Sequence, residues 1–406
     1  MLLLKLAFRN IFRQRRRSLL TALSLTGGYI LCVFSFSLSE GSYNTAISFF
    51  TLDHTGHIQI HQDDYLSRPK IHKTIDDPQA LSELLDANSE IESHTLRVFA
   101  PAIAYSETDN TPARVIGVAL DRERTTSTLA AKVSAGEYID NTLDAEGYYS
   151  AMIGAGIANS LNISLGDELI LISQGADGSI ANDIFIVKAI IGNRDSLDKT
   201  TVFLPLIAAQ EFLSMYGSVH EVSILLKDDN EARAEATSLQ EQLPELSVAP
   251  WQVVESTFYQ SMQTDKQGNN FSMGFIVFIV FVGVLNTILM SVLERTREFG
   301  VLKAIGSRPL KIAMMITLET GVLASLSLLA GLLVSLPLIA WFSSAGFELA
   351  EPMDVGGIVM SHLTGDMSLF VFTTPLLLIL FFAMLISVPA GIRAANISPT
   401  EAMRSN

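Results

Sequence analysis

Four long apolar runs constrain this chain more than any other feature of its sequence. A bilayer core about 30 Å thick is spanned by roughly 20 apolar residues in a helix. None of the four runs contains an internal lysine or arginine, and such runs predict membrane-spanning helices. The runs cover residues 18–38, 271–293, 312–342 and 369–388. We assign the corresponding transmembrane helices to residues 18–45, 271–293, 310–343 and 369–390.

The basic residues outside the central region predict the orientation of these spans. Six lie in the first 17 residues, five lie between 294 and 311, and two lie in the tail 391–406, whereas the segment 344–368 has none. Cationic flanks remain on the cytoplasmic side of a membrane. Both termini are therefore predicted to be cytoplasmic, and the large segment 46–270 and the loop 344–368 are predicted to lie outside.

The first apolar run has an alternative interpretation as a cleaved secretory signal, because it follows a basic segment. The run is longer than the apolar part of a typical signal, and residues 35–42 offer no small-x-small cleavage site. Three further spans also favour a retained anchor.

Residues 1–17 predict an amphipathic helix on the cytoplasmic face. Apolar side chains fall on one side of such a helix, opposite Lys5, Arg9 and Arg13. The helix would lie along the interface with its cations near lipid phosphates. A simple extension of the first span is the alternative, and it leaves the topology unchanged. The apolar residues are Leu3, Leu4, Ala7, Phe8, Ile11 and Phe12.

The segment 46–270 has the composition of a water-soluble domain, with 33 acidic and 14 basic residues. Strand and helix patterns alternate at both of its ends, and its middle section is rich in strand patterns. We therefore predict an α+β domain of two βαβ-like units with an inserted β-rich lobe at about residues 112–205. The predicted strands are 57–61, 90–104, 114–118, 168–173, 184–191, 201–204, 222–226 and 246–249, and the predicted helices are 76–85 and 228–243.

Several chemical classes are excluded or disfavoured by the residues present. A net charge of −15 argues against nucleic acid as a partner. The single cysteine, Cys32, excludes a disulfide within the chain and is predicted to be a small apolar residue in lipid or at a helix contact. Gly154 and Gly156 lack the third glycine of a dinucleotide fingerprint. We find no catalytic constellation and predict no catalytic residue.

Three histidines near the start of the domain, His54, His57 and His61, raise the question of a metal site. No pair has the spacing of a known zinc motif. We interpret His57 and His61 as part of a solvated strand face, with Gln59 between them, and predict no metal.

The loop 294–309 between the second and third spans is a short segment of alternating charge that ends at Gly306, before Pro309. A charged helix in this position is suited to docking a cytoplasmic partner. The alternative is a basic cytoplasmic loop with no further task.

This segment resembles the signature of the FtsX/MacB-type (type VII) ABC transporter permease family. The family pattern E-R-x-x-E-x-G-x-L-x-A-x-G is present from Glu294 to Gly306. Residues 6–21, 153–167 and 389–404 resemble other recurrent segments of the family. The resemblance implies an FtsX-like permease domain at residues 271–400 and a MacB-like periplasmic core domain at 46–270. Residues 55–59 resemble the lipoprotein-releasing LolC/LolE branch.

The resemblance implies a multi-pass subunit of the bacterial inner membrane that is not itself an enzyme. It would pair with a second permease copy or a paralogue and with two copies of a cytoplasmic P-loop ATPase. ATP and magnesium would be bound by that ATPase, with no cofactor in this chain. Consistently, the 406 residues contain no G-x-x-x-x-G-K-[ST] motif, whereas MacB carries its ATPase in the same chain.

The resemblance also implies roles for individual residues. Arg295 and Glu298 are candidates for polar contacts with the ATPase, and Gly300 and Gly306 for close packing or helix ending. Glu319, inside the third span, either couples helix movements or makes a buried structural hydrogen bond. The predicted ATPase-coupling set is Glu294, Arg295, Arg297, Glu298, Gly300, Leu302, Lys303 and Gly306. Met273, Phe275, Phe278 and Phe281 would line an apolar entry for a lipid-like substrate, or simply face lipid and neighbouring helices.

Two functions are consistent with these features. In the first, the chain extracts or exports lipoproteins or another hydrophobic substrate from the membrane, with membrane lipids and a periplasmic acceptor as further partners. In the second, it is an FtsX-like signalling scaffold that regulates a periplasmic partner such as a cell-wall hydrolase without transport.

Overall fold

The structure is a computed structural model that describes residues 15–193, 196–355 and 358–396. The predicted amphipathic helix at 1–17 and the end of the tail therefore lie largely outside the described residues. The helices are α1 (Arg15–Phe50), α2 (Pro78–Asp86), α3 (Leu120–Thr126), α4 (Ala155–Leu161), α5 (Leu206–Phe212), α6 (Ala232–Gln242), α7 (Trp251–Val254), α8 (Ser256–Glu294), α9 (Thr296–Ala304), α10 (Pro309–Ala345) and α11 (Leu369–Asn396). The strands are β1 (Ile58–Gln62), β2 (Ile91–Tyr105), β3 (Asn110–Val118), β4 (Val133–Gly136), β5 (Tyr149–Gly154), β6 (Glu168–Gln174), β7 (Ile180–Ile191), β8 (Thr201–Pro205), β9 (Glu221–Leu226), β10 (Leu246–Pro250), β11 (Phe347–Val355) and β12 (Ile358–Leu363).

The chain divides into two compact units. The membrane unit is formed by the segments before residue 46 and after residue 260, and the α/β domain is formed by residues 46–260. Each unit is described below by itself.

The membrane unit contains the predicted apolar helices α1, α8, α10 and α11, each long and apolar enough to cross a membrane. The prediction of four such helices is confirmed. Their lengths differ from the predicted spans, because α8 has 39 residues and would extend about 58 Å at 1.5 Å per residue. Residues 256–270, predicted to belong to the outer domain, form its first turns. There Lys266 pairs with Glu40 of α1, with Nζ 3.2 Å from Oε2.

Small residues let these helices approach one another. A Cβ atom on Gly28 would lie 2.2 Å from Val280, and one on Gly331 would lie 2.7 Å from the Tyr29 ring. Tyr29 is fully buried and donates a hydrogen bond to the Phe372 carbonyl oxygen at 3.2 Å. Close approach of this kind is how helices pack where lipid removes the hydrophobic driving force. Cys32 is also fully buried, and so lies at a helix contact.

The segment 344–368, predicted to be a loop, contains a β-hairpin formed by β11 and β12. The segment predicted as a periplasmic loop thus contains this hairpin between the third and fourth long helices.

Four strands of the α/β domain form its base in the order β10-β1-β9-β2. The two predicted strand-helix-strand units are present, as β1-α2-β2 and β9-α6-β10. Each unit is split by a strand of the other unit: β9 lies between β1 and β2, and β1 lies between β9 and β10. All neighbouring strands of the base pair in the antiparallel direction. This interlocked arrangement is the split βαβ motif.

The inserted segment forms a closed ring of strands, in the order β2-β3-β8-β5-β7-β6 and back to β2. The 15-residue strand β2 belongs to both parts, because its first half pairs with β9 and its second half with β3 and β6. The β-rich lobe predicted at 112–205 is therefore present, but it is hydrogen-bonded to the base and is not a separate sheet.

Two strands of the ring region, β4 and β5, were not predicted. Gly154 and Gly156 lie where β5 meets α4. A Cβ atom on Gly154 would lie within 2.6 Å of the backbone of Asp198 and Lys199, and one on Gly156 would lie 2.6 Å from the Lys199 carbonyl oxygen. The glycine pair therefore has a packing role in this turn.

Candidate functional site

The segment between the second and third apolar helices folds as the short helix α9. Its end is set by Gly306, whose φ of 95° lies in the left-handed region that favours glycine. The Gly306 amide donates to the Lys303 carbonyl at 3.0 Å, and the Ser307 amide donates to the Leu302 carbonyl at 3.0 Å. Pro309 then begins α10 with a backbone angle suited to a first helical turn.

The inner side of this segment is fixed to the membrane unit by Arg295 and Phe299. The Arg295 guanidinium donates to both carboxylate oxygens of Glu319, at 2.8 and 3.1 Å, and to Glu298 at 3.2 Å. It also lies over the Phe299 ring, 5.2 Å from the ring centroid. Phe299 is buried in the same hydrophobic cluster as residues of all four long helices, and Gly300 is buried beside it. A bidentate arginine-carboxylate pair fixes both direction and distance.

The position of Glu319 explains how a carboxylate is tolerated in an apolar helix. Arg295 directly follows α8, so its guanidinium lies where the second apolar run ends. Glu319 lies ten residues into α10, about 15 Å along it. Since the two side chains pair, the carboxylate lies at the same depth as the end of α8. The third span, assigned to residues 310–343, lies within α10, which is long and apolar enough to cross a membrane over Pro309–Ala345.

The outer side of the segment carries exposed apolar and charged residues. Val301, Leu302 and Ile305 are 46%, 36% and 78% exposed, and Glu294 and Arg297 are exposed beside them. We call the surface of Val301, Leu302 and Ile305 the α9 apolar face. Of the predicted coupling residues, Glu294, Arg297, Leu302 and Gly306 are thus exposed, Glu298 and Lys303 are half-buried, and Arg295 and Gly300 are buried.

The four apolar residues proposed for a substrate entry separate into two groups. Met273, Phe278 and Phe281 line a cavity of about 460 Å³ in the membrane unit, together with Phe36 and Phe370 on the neighbouring helices. Phe275 does not line it and is 56% exposed. The cavity is open on one side and almost entirely apolar, which fits a hydrocarbon chain.

The three histidines do not form a metal site: among the described residues no group of His, Cys, Asp or Glu could hold a metal ion. His57 Nδ1 accepts from the Leu226 amide at 3.0 Å, and burial lowers the pKa of this histidine. His61 contacts the His220 carbonyl and the Gln59 side chain, each at 3.0 Å. His54 Nδ1 lies 4.0 Å from Asp198.

The prediction that His57, Gln59 and His61 face solvent was wrong, since all three are buried. They lie on the central strand β1, and Tyr65 covers the end of the face by stacking on His61 at 5.3 Å. Their polar atoms bond to neighbouring backbone and side chains, as buried polar groups generally must.

Two buried charge clusters of the α/β domain were not predicted. In the first, Arg97 pairs with Glu123 at 2.7 Å and Glu221 at 3.2 Å. In the second, Lys132 pairs with Asp198 at 2.8 Å and Asp53 at 3.2 Å. Burial favours the neutral form of Glu123, but Arg97 outweighs that effect and holds the pKa of the carboxyl below its usual value. The partners are distant in sequence, so no local pattern indicates them.

Comparison with known proteins places both units in recognised families. The family described as FtsX-like permease C-terminal matches residues 270–399. The family described as MacB-like periplasmic core domain matches residues 18–242, more than half of the chain.

Curated relatives are similar over shorter segments. The ABC transporter permease YtrF of Bacillus subtilis (strain 168) is 34% identical over 89 residues, 19% of this chain and 20% of that protein. The macrolide export ATP-binding/permease protein MacB of Pasteurella multocida (strain Pm70) is 36% identical over 91 residues, 21% of this chain and 14% of that protein. MacB of Campylobacter jejuni (strain 81-176) is 23% identical over 151 residues, 36% of this chain and 21% of that protein. The matches thus span about a fifth or less of each relative.

Two solved structures also show similarity. The periplasmic region of MacB from Actinobacillus actinomycetemcomitans aligns with a TM-score of 0.37 and 13% identity, over 50% of this chain and 92% of that one. The extracellular domain of the noncanonic ABC-type transporter YknZ aligns with a TM-score of 0.35 and 12% identity, over 47% and 98%.

Proposed function

Because this chain belongs to the family of FtsX-like permeases with a MacB-like periplasmic core domain, we propose that it is the membrane subunit of an ATP-driven ABC transporter. In this proposal the chain is not an enzyme, and a separate cytoplasmic P-loop ATPase hydrolyses ATP. The complex holds two ATPase copies and a second permease, either another copy of this chain or a paralogue. Both termini and α9 face the cytoplasm, and the α/β domain faces the periplasm.

The observation that carries the proposal is the two-sided construction of α9. Its inner side is fixed to α10 by the Arg295–Glu319 pair and to the bundle by Phe299. Its outer side exposes the α9 apolar face, where a partner of complementary shape would gain by covering apolar surface. A force applied to α9 by a bound ATPase would reach the third span through a short, charge-assisted contact.

The same construction gives each predicted coupling residue a task. Leu302, with its neighbours of the apolar face, provides contact area, and the exposed Glu294 and Arg297 provide complementary charge at the rim. Arg295, on the inner side, is a positioning residue, because its ion pair with Glu319 holds α9 against α10. Gly306 permits the sharp reversal into α10.

The proposed cargo is a lipoprotein or another hydrophobic substrate extracted from the membrane. The apolar cavity lined by Met273, Phe278 and Phe281 supports this choice, because its walls and volume suit an acyl chain. Movement of the α/β domain, transmitted from the membrane helices, would then pass the cargo to a periplasmic acceptor.

The test is native mass spectrometry of the gently extracted protein with its membrane neighbours. We expect two permeases with two P-loop ATPases, and retained acylated peptide or lipid. In Ile305→Asp, a carboxylate in the α9 apolar face should lower recovery of the ATPase at least about tenfold, since an unpaired charge buried at an interface costs several kcal/mol.

The matched control is Ile180→Asp, which makes the same change at an 82% exposed position of the α/β domain. Its ATPase recovery should equal that of the wild type. Equal recovery in Ile305→Asp, or a wild-type complex without any ATPase, would contradict the proposal and favour the scaffold function, in which a periplasmic partner co-purifies and no cargo does.

A further inference from the structure

The α/β domain contains a cavity of about 1070 Å³ that the proposed coupling does not use. It lies among residues of both the four-stranded base and the strand ring, including Gln59 and His61 of β1 and Phe203 of β8. The volume lies just above the range of those that hold small-molecule ligands, roughly 300–1,000 Å³. A ligand with an extended body therefore fits inside the domain.

Much of the cavity wall is apolar and aromatic. Phe50, Phe99 and Phe203 contribute rings, and Ile116 and Leu129 contribute aliphatic surface. All but Phe99 are more than nine-tenths buried. Such a wall favours a hydrocarbon body over a fully polar ligand, because covering it removes apolar surface from water.

The buried charges at the wall are unbalanced. Glu123 and Glu221 share the single cation Arg97, and Asp53 and Asp198 share the single cation Lys132. All four carboxylates line the cavity, and each has a side chain less than 8% exposed. Two carboxylates per cation leave each cluster with an excess of negative charge, which favours a positively charged group in a poorly hydrated site.

His54 and Tyr65 provide an independent indication of a ligand. The Tyr65 ring lines the cavity and is held between His61 and His220, with centroid distances of 5.3 and 5.1 Å. The residue is 8% exposed, and its hydroxyl is at the cavity. His54 also lines the cavity, and its Nε2 is buried without a hydrogen-bond partner among the described residues. Buried polar atoms usually have a partner. A group inside the cavity would supply one.

The geometry points to a binding site for an amphiphile with an apolar body and an ammonium-bearing head. The body lies along the aromatic wall, and the ammonium group lies by the carboxylates with the Tyr65 hydroxyl as a further partner. The inference that such an amphiphile is the transported substrate rests on the proposed permease function. Binding of the amphiphile to the cavity does not require the ATPase.

Two sources supply this chemistry, a zwitterionic phospholipid and a simple amphiphilic amine. Lys70 and Arg114 line the cavity and are exposed. A phosphate group could pair with them while the ammonium group reaches the carboxylates. Both sources share the ammonium head, and the probes below distinguish them.

The test measures binding to the full chain in neutral maltoside detergent without ATPase, by titration calorimetry. The probes are dodecylammonium, lauroyl lysophosphatidylethanolamine, lauroyl lysophosphatidylglycerol and monolauroylglycerol. At least one ammonium probe should bind about tenfold more tightly than the anionic and neutral probes. Preference for the phospholipid identifies a zwitterionic ligand, and preference for dodecylammonium identifies a simple amine.

Two variants place the binding in this cavity. Asp198→Asn should weaken ammonium binding about tenfold and leave monolauroylglycerol unchanged, whereas the exposed control Asp183→Asn should change neither. Tyr65→Phe keeps the ring stack and should weaken binding roughly fivefold, with the 79% exposed Tyr216 as its control in Tyr216→Phe.

Tyr65→Phe decides the question if Asp198→Asn fails to fold. Binding of the anionic probe as tight as that of the ammonium probes would overturn the inference, as would wild-type affinity in the folded variants. Neither result depends on whether the ATPase co-purifies, so failure here is distinct from failure of the proposed function.

Discussion

In the membrane unit, the ion pairs of the described residues lie towards the ends of the long apolar helices, at Lys266–Glu40 and at Arg295–Glu319. In the α/β domain, by contrast, Arg97 lies in the middle of the sheet with two carboxylates. The sheet can hold these buried charges because they are paired and hydrogen-bonded, with Glu123 accepting from both Arg97 and Thr95. In a helix bundle surrounded by lipid, charged residues lie near the membrane surface, because a charge in the hydrocarbon interior is costly.

The two units use glycine at different kinds of close contact. In the α/β domain, Gly154 and Gly156 admit neighbouring backbone at the turn between β5 and α4. The membrane unit depends on small residues, such as Gly28 and Gly331, where helices meet. The surrounding solvent explains the difference. Apolar residues gain little free energy by leaving lipid, so the helices associate where small residues let them pack closely.

The largest expected effect comes from Arg97→Met in the α/β domain. The substitution leaves Glu123 and Glu221 buried without their cation, and breaking a buried pair in this way costs about 3–5 kcal/mol of unfolding free energy. Denaturant unfolding followed by circular dichroism measures the loss. The control, Arg114→Met, removes an exposed arginine that lies over Phe99 and should cost less than about 1 kcal/mol. Equal losses of unfolding free energy in the two variants would show that the buried charge cluster does not stabilise the α/β domain.

A smaller effect is expected from Gly28→Val in the membrane unit. The new side chain would meet Val280 at a helix contact, and overpacking of this kind costs about 1–3 kcal/mol. Gly27→Val is a matched control one residue away, because a Cβ atom there meets nothing within 4 Å. Thermal stability in detergent should fall in the first variant and stay unchanged in the second. If both or neither lose stability, small residues do not select the helix contact.

The α/β domain should also respond to acid through His94. Burial, assisted by Arg122 and opposed by Asp86, lowers the pKa of His94 from 6.5 to about 4. The unfolded chain then binds more protons between these values, so stability rises with pH in this window and is lost as pH falls from 6.5 towards 4. At pH 5.5 the loss is about 1 kcal/mol relative to neutral pH. His94→Gln should flatten the stability profile measured by denaturant unfolding, and the exposed control His72→Gln should leave its slope intact.

The features that sequence could predict are those with a local pattern. Apolar length indicated the four long helices, and strand-helix-strand periodicity indicated both units of the base. Glu319 is the opposite case, because its partner Arg295 lies 24 residues earlier and only the fold shows that the carboxylate lies at the end of α8.

Longer sequence separations hide the rest of the candidate site. Arg97 and Glu221 are 124 residues apart, and they meet because β9 pairs with β2 across the whole inserted segment. The burial of His61 likewise depends on Tyr65 and His220, which no periodicity connects to it. Pairing between distant strands therefore forms the cavity.

The smallest effect is expected from an apolar side chain that faces outward on the membrane unit. Phe271 is 71% exposed on α8, and Phe271→Ala should change thermal stability in detergent by less than about 0.5 kcal/mol, as for surface positions generally. The same change at the buried Phe185 should cost about 3–5 kcal/mol. A large loss in Phe271→Ala would mean that this side chain is covered by protein, which the second permease of the proposed complex would supply. Repeating the measurement on diluted, monomeric protein tests this explanation, because a stability loss due to a lost contact with the second permease disappears on dilution.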